Sequence, residues 1–383
     1  MEIEKSLLNH FSIIVDPRIE RTKKHKLLDI LVITICAVLS DCDSWTDIAD
    51  WAEENVDWFS SFLDLSGGIP SHDTFARVFS ILNPEDFQTA FFEWIKEIKK
   101  ELPNREIINI DGKFIRGSKQ AYSSRNAIIM VSAWASGAGI SLGQLTSRLK
   151  KDEGEKKTIE KLLDCIDVKN NIITLDANGA SLKIVEKITS KKGDYTIALK
   201  DNQRAGKRLT TILFEKNIDN ILHFSSEEKG HGRKEKRVYE LLNLKASNQD
   251  GIKQGVEENI LKFKNINSLG RVTATRELNG VTSIEIRYYI TSLININEFS
   301  KSVREHWAIE NCLHWQLDVT FKEDHMRARI GHSAENLATI RRMALNMLKQ
   351  DGTEKRSLRR KRKLCSWRKD YLLKIIFGAN FEI

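Results

Sequence analysis

The chain is poor in the features that mark several large classes of protein. Its 383 residues include only five cysteines, Cys36, Cys42, Cys165, Cys312 and Cys365, which are scattered, odd in number and without paired ligand spacing. That distribution excludes a disulfide framework, argues against a zinc fold and reads as reduced thiols in a cytoplasmic protein. Long apolar runs are missing too. The most apolar stretch, Leu27 to Leu39, is interrupted by Asp29 and is too short to cross a bilayer, so a buried helix and no membrane partner are expected. The opening MEIEKSLLNHF has no basic head followed by an apolar core, so no secretory signal is expected. Charge of one sign is only mildly in excess: 61 Lys and Arg against 53 Asp and Glu give +8, which suits a polyanionic partner. An apolar fraction of 41% excludes wholesale disorder, and the length suggests more than one domain.

What the chain does have is a repeated local form. Ile107-Ile108-Asn109-Ile110-Asp111 and Ile172-Ile173-Thr174-Leu175-Asp176 each read as a buried strand ending in a carboxylate, with Gly112 and Gly179 just beyond. Taken singly, each Asp could simply stop a strand. Side by side, the two carboxylates would repel unless something positive sat between them, and a divalent ion is the usual occupant. A third acid lies in a helical stretch. Val303, Trp307, Leu317 and Phe321 fit one apolar stripe, and Glu310 and His314 fill its gaps. On that phasing Glu310 faces inward, where ionisation is costly without a cation or donor. The alternative is a slightly rotated helix in which Ile309 and Leu313 face the core and Glu310 sits at the rim.

Residues 1 to 102 read as a helical N-terminal domain. Trp51, Val56, Phe59 and Phe62 mark one amphipathic helix, Ser71 caps a second, and Asn83-Pro84-Glu85 starts a third. The Ser71 to Phe79 segment reads as a packing helix more than a recognition helix, because no adjacent turn signature fixes a helix-turn-helix. After Pro103 the pattern becomes strand, strand, strand, helix, strand, helix, strand. That is the order of a ribonuclease-H-like α/β core with a mixed sheet, over 103–204 and 296–350, in which the first and fourth strands are neighbours. The stretch 205–295 reads as a β-rich insertion, its Asn279-Gly280 pair a hairpin signal. Residues 351–383 form a basic tail: seven of the nine residues from Lys355 to Lys363 are Lys or Arg, with Trp367, Arg368 and Lys369 following, a composition suited to a phosphate backbone or to simple solvation.

Several collinear segments together resemble the DDE transposases of the bacterial insertion-sequence type that includes the H-repeat-associated proteins. They include DPRIERTKKHKLLDIL, GGIPSHDTFARVF, NIDGKFIRGS, ITLDANGA, KGDYTIALKDNQ and VREHWAIENCLHWQLDVTFKED. The resemblance implies that Asp111, Asp176 and Glu310 are the catalytic and metal-binding acids. It also implies Mg²⁺ as cofactor with Mn²⁺ able to substitute, double-stranded DNA as partner, and a homo-oligomer assembled on DNA in a nucleoid-associated bacterial protein. Two departures stand out: relatives have Met and Gln where this chain has Asn178 and Ser181, and a glycine where it has Asp201.

On this reading two metal ions about 4 Å apart serve cleavage at an element end and joining of the freed 3′ hydroxyl to target DNA. Asp111 bridges them, and Asp176 and Glu310 each hold one. Expected DNA contacts are Lys113, Arg116, Lys200, Arg304, Asn311 and His314. Arg304, six residues before Glu310, lies about 120° around the helix and flanks the site. For His314 the bland role is a satisfied core imidazole, and for His231 a turn. Two rival readings remain open, a structure-selective nuclease on the same fold and a domesticated DNA-binding protein.

Overall fold

The computed structural model describes residues 9–12, 14–99, 105–119, 128–147, 154–230, 233–247 and 253–377. The N-terminal helices are α1 (Leu27–Leu39), α2 (Trp45–Glu53), α3 (Val56–Ser60), α4 (His72–Ile81) and α5 (Pro84–Lys99). Nearly every residue of α1 is buried, as an apolar run broken only by Asp29 requires. The single helix expected through Trp51 and Phe62 is two helices. The chain breaks at Glu54-Asn55, where the Asn55 amide donates to the Trp51 carbonyl at 2.6 Å and competes with the helical ladder. Ser71 caps α4 by accepting from the Thr74 N–H, and Phe75, Val78 and Phe79 are fully buried. Packing therefore accounts for that helix's apolar face.

Next come β1 (Ile107–Ile115), β2 (Ile128–Ala135), β3 (Ile140–Ser147), α6 (Glu155–Cys165), β4 (Ile172–Leu175), α7 (Leu182–Ser190) and β5 (Asp194–Leu199). β2 pairs antiparallel with both β1 and β3, while β4 runs parallel to β1 and β5 parallel to β4. This is the expected ribonuclease-H-like order, with the first and fourth strands in contact. A helix α8 (Arg204–Lys216) then leads to β6 (Ile221–Gly230), β7 (Arg233–Asn243), β8 (Ser268–Leu278) and β9 (Val281–Thr291). These strands form no separate layer. β9 pairs antiparallel with β5, so one nine-stranded sheet runs β3-β2-β1-β4-β5-β9-β8-β7-β6. At the β8–β9 turn Asn279 and Gly280 have φ of 52° and 78°, the left-handed pair that a two-residue hairpin needs. His231 lies outside the described residues.

The sheet has two faces, and the alternation of side chains along the strands decides what lies on each. Ile108, Ile110, Ile173 and Leu175 join the main core with the N-terminal helices. Ile107 and Ile172 point the other way and pack in a second cluster with Phe299 and Val303 of α9 (Ile296–His306). Close approach of α9 needs Gly270, since a Cβ there would lie 2.1 Å from the Phe299 ring. Asp111 and Asp176 share the parity of Ile107 and Ile172. They therefore emerge on the α9 face.

Beyond α9 lie α10 (Trp315–Val319), α11 (Ser333–Gln350), α12 (Leu358–Trp367) and α13 (Lys369–Phe377). The basic tail is thus largely folded. Lys361 and Arg362 are buried: Lys361 donates to the carbonyls of Leu348 and Asp351 at 2.9 and 2.6 Å, and Arg362 to that of Val38 at 2.7 Å. Neither a phosphate contact nor simple solvation describes these two residues, because carbonyls of Val38, Leu348 and Asp351 already take up their donors. Trp367 does remain exposed.

Candidate active site

Asp111 and Asp176 reach one edge of the sheet because Ile110 and Leu175 are paired in register between β1 and β4. Asp176 follows its strand into a turn, where one carboxylate oxygen accepts the N–H groups of Asn178 and Gly179 at 2.9 and 3.2 Å. Its other oxygen lies 3.6 Å from the Lys200 ammonium. Glu310 arrives from the helical side.

Between α9 and α10 the backbone opens into a π-turn over Glu310–His314. Such a turn carries an extra residue and shifts the helical phase by about 100°. The single apolar stripe expected through Val303, Trp307, Leu317 and Phe321 therefore does not exist. Trp307 is exposed, Ile309 and Leu313 are fully buried, and Glu310 sits at the rim with its side chain 54% exposed. The rotated phasing is the correct one.

Asp111, Asp176, Lys200, His306, Trp307 and Glu310 line one cavity of about 390 Å³. Burial pushes the Asp111 carboxyl up to about 6, His314 opposes the shift, and Glu310 and Asp176 add to it. Glu310 is held below its ordinary value, chiefly by His314. The His314 Nδ1 lies 3.7 Å from Asp111 and 3.6 Å from Glu310. Among the described residues, Asp111, Glu310 and His314 each offer a ligand atom, and these lie within 4.8 Å of one another. That span, with two hard carboxylates, fits one divalent cation. Asp176 stands apart from this trio in the same cavity.

The expected DNA contacts fare unevenly. Lys113 is not available to a polyanion: it is buried, and its ammonium is 2.7 Å from Asp318, 2.9 Å from Glu323 and 3.4 Å from Asp324. These acids lie two hundred residues downstream, so neighbouring sequence could not announce the pairing. His314 is also buried and faces the acids, not a DNA surface. Its Nε2 has no hydrogen-bond partner, so it is not a satisfied core imidazole. Arg116 is exposed near Asp324, Lys200 reaches Asp176, and Arg304 forms a two-point pair with Glu228 at 3.0 and 2.9 Å. Asn311 and Arg304 line an adjoining groove of about 380 Å³.

That groove went unforeseen. Arg233 and Arg237 of β7, Arg276 of β8 and Arg287 of β9 line it beside Arg304. The buried Glu235 carboxylate holds three of them, at 3.2 Å from Arg233, 2.7 Å from Arg237 and 2.8 Å from Arg276. Arg287 lies over the Trp307 ring, 4.9 Å from its centroid, where the groove meets the acidic cavity. Alternate positions on strands far apart in sequence supply these guanidinium groups, so only pairing register could have revealed them.

His306 was also missed. Its Nδ1 is 2.8 Å from the Thr174 hydroxyl, which donates to the Asn109 side-chain oxygen at 2.6 Å. The Asn109 amide donates to the Glu305 carbonyl at 2.9 Å, which fixes its orientation. Because the single Thr174 proton goes to Asn109, His306 must donate from Nδ1, which leaves Nε2 with its lone pair free. Burial pushes the imidazole down to about 4 despite Asp176 and Glu310. A signal was present: His306, Glu310 and His314 recur at every fourth residue.

A mixed sheet that brings two strand-borne aspartates and a helix-borne glutamate to one edge defines a ribonuclease-H-like protein with an acidic centre. Comparison with known families agrees. Residues 8–95 match the DDE_Tnp_1-associated family and residues 102–347 match the Transposase DDE domain. The chain belongs to the DDE transposase family. It is 37% identical over 383 residues to "Putative transposase YncI" of Escherichia coli O157:H7, covering 98% of this chain and 95% of that one. It is 34% identical over 390 residues to "H repeat-associated putative transposase YhhI" of Escherichia coli strain K12, covering all of both. A shorter relative, "Inactive transposase YbfQ" of the same strain, is 48% identical over 80 residues, or 21% of this chain and 94% of that one. No helix among the described residues is long and apolar enough to cross a membrane.

Proposed function

We propose that this protein is a metal-dependent transposase that cuts phosphodiester bonds at the ends of its own DNA element and joins the resulting 3′ hydroxyls to target DNA. The observation that carries this reading is the meeting of Asp111, Asp176 and Glu310 in one cavity, continuous with an arginine-lined groove. Asp111, Asp176 and Glu310 would hold divalent ions, Mg²⁺ or Mn²⁺, whose chemistry there is to activate the attacking oxygen and neutralise the leaving one.

The remaining steps fall to the chain's own residues. Lys200, beside Asp176, offsets charge on a phosphate entering the cavity. The groove arginines grip the backbone on either side, and Trp307 with Arg287 forms the step between groove and cavity. His306, neutral with a free Nε2, accepts a proton or a hydrogen bond at the cavity wall. Asn109 and Thr174 keep its ring in place. Arg116 and Asn311 extend the contact surface.

Incubating full-length protein with a labelled duplex carrying the element end and a plasmid target, with Mg²⁺ or Mn²⁺, tests the reading. Nicked ends and end-to-plasmid joints, both lost in Asp111→Asn, are expected. Cleavage without joints would instead identify a nuclease. Binding with neither product would identify a DNA-binding protein that has lost the chemistry.

A further inference from the structure

We propose that His314 is a nitrogen ligand to the cation held by Asp111 and Glu310, and that this half of the centre therefore favours Mn²⁺ over Mg²⁺. The inference rests on the metal-dependent reading above and adds a ligand and a selectivity to it.

The geometry comes first. The His314 Nδ1 faces both carboxylates, at 3.7 Å from Asp111 and 3.6 Å from Glu310. Those gaps are long for direct hydrogen bonds. Ligands about 2.1 Å from one ion stand roughly 3 to 4 Å apart, and both gaps lie within that range, so small side-chain rotations bring all three atoms onto one shared ion.

Burial is an independent observation. The His314 side chain is 7% exposed, and its Nε2 has no hydrogen-bond partner. The ligand atom is the other nitrogen, Nδ1, and with a cation there the ring proton sits on Nε2. An imidazole kept dry, with one nitrogen aimed between two carboxylates, is suited to receive a cation. The backbone supports this arrangement. Glu310 and His314 are four residues apart at the two ends of the π-turn, and two ligands at that spacing project to one side of a helix.

The donor set then selects the ion. Mg²⁺ prefers oxygen ligands in a near-ideal octahedron. Imidazole suits transition ions better than Mg²⁺, while carboxylate suits both Mg²⁺ and Mn²⁺, so of these two ions the mixed nitrogen and oxygen set favours Mn²⁺. Asp176, turned toward Lys200 and bonded by two backbone N–H groups, lies outside the trio and is left to serve an all-oxygen position.

The test is electron spin-echo spectroscopy of Mn²⁺ bound to the full-length protein, with affinity read from the free-ion resonance signal. Wild type should show nitrogen modulation that changes when histidine is labelled with ¹⁵N. His314→Gln should lose the modulation and bind Mn²⁺ roughly tenfold or more weakly, with Mg²⁺ affinity little changed. His306→Gln should keep the modulation. The wild-type spectrum decides the matter even if a variant does not fold. Bound Mn²⁺ without nitrogen modulation would overturn the ligand assignment and leave the metal-dependent reading standing. Modulation that survives in His314→Gln would overturn it equally. Failure of both Mn²⁺ and Mg²⁺ to bind, with an element-end duplex present, would sink both.

Discussion

Asp111 and Lys113 sit two residues apart on the same face of β1, yet they belong to opposite kinds of charge cluster. Around Asp111 carboxylates outnumber cations, and burial drives its carboxyl up to about 6. Around Lys113 the charges are matched. Glu323 is fully buried, which by itself would raise it, but Arg342 and Lys113 hold it down to about 2. One Arg342 nitrogen is 2.9 Å from Glu323 with both side chains fully buried. On the proposed function, the difference separates charge that holds the fold together from charge that waits for a ligand. A charge-matched buried cluster stabilises only while intact, whereas a group of like charges costs stability, a cost that the proposed metal-dependent function accounts for.

The sharpest way to break this contrast is to neutralise one acid in each cluster. Asp111→Asn should lower cleavage on the order of 10³-fold or more while DNA binding persists. It should also raise the melting temperature of metal-free protein near pH 7. The sign follows from the raised carboxyl: a group pushed from 3.8 up to about 6 favours the fold when protonated, and that contribution is lost as pH climbs between those values. An Asn variant that cuts normally would defeat the assignment.

Glu323→Gln should do the reverse, costing about 3–5 kcal/mol in denaturant unfolding because Arg342 is left buried without its partner. Here the carboxyl lies below its ordinary 4.5, so its contribution is fully present above 4.5 and disappears as pH falls toward about 2. Acid unfolding curves of the variant should lack that component. Unchanged stability would show that the cluster is not structural.

His306→Gln lies between the two cases. Cleavage should fall roughly tenfold with DNA affinity retained. Wild type should lose stability as pH drops from 6.5 toward about 4, since a depressed imidazole contributes above 6.5 and must be charged against burial below it. The glutamine variant should flatten that part of the curve; an identical pH profile would count against the buried neutral histidine.

Arg304→Ala is the mildest. Its pair with Glu228 is about half exposed on both sides, so stability should shift by less than about 0.5 kcal/mol. The salt dependence of DNA binding should nevertheless weaken by about one unit of slope if this arginine meets a phosphate. An unchanged slope would remove Arg304 from the binding surface.

The amino-acid sequence alone determined the strands that bear Asp111 and lead into Asp176, the Asn279-Gly280 hairpin and the helical stretch carrying Glu310, although β1 runs on past Asp111 to Ile115 and does not end at the acid. Each is written in local periodicity and turn chemistry, and the resemblance to a family supplied the link among the three acids. Tertiary structure decided the rest. The π-turn that puts Glu310 at the rim follows no 3.6-residue pattern, and the burial of Lys113 depends on acids from a remote segment. The arginine groove exists only once β7, β8 and β9 are in register, and the orientation of His306 only once β1 and β4 lie beneath α9. Local sequence sets how each element forms and which side chains share a face, but the partner of a charge is fixed by what packs against it, and that is a property of the whole fold.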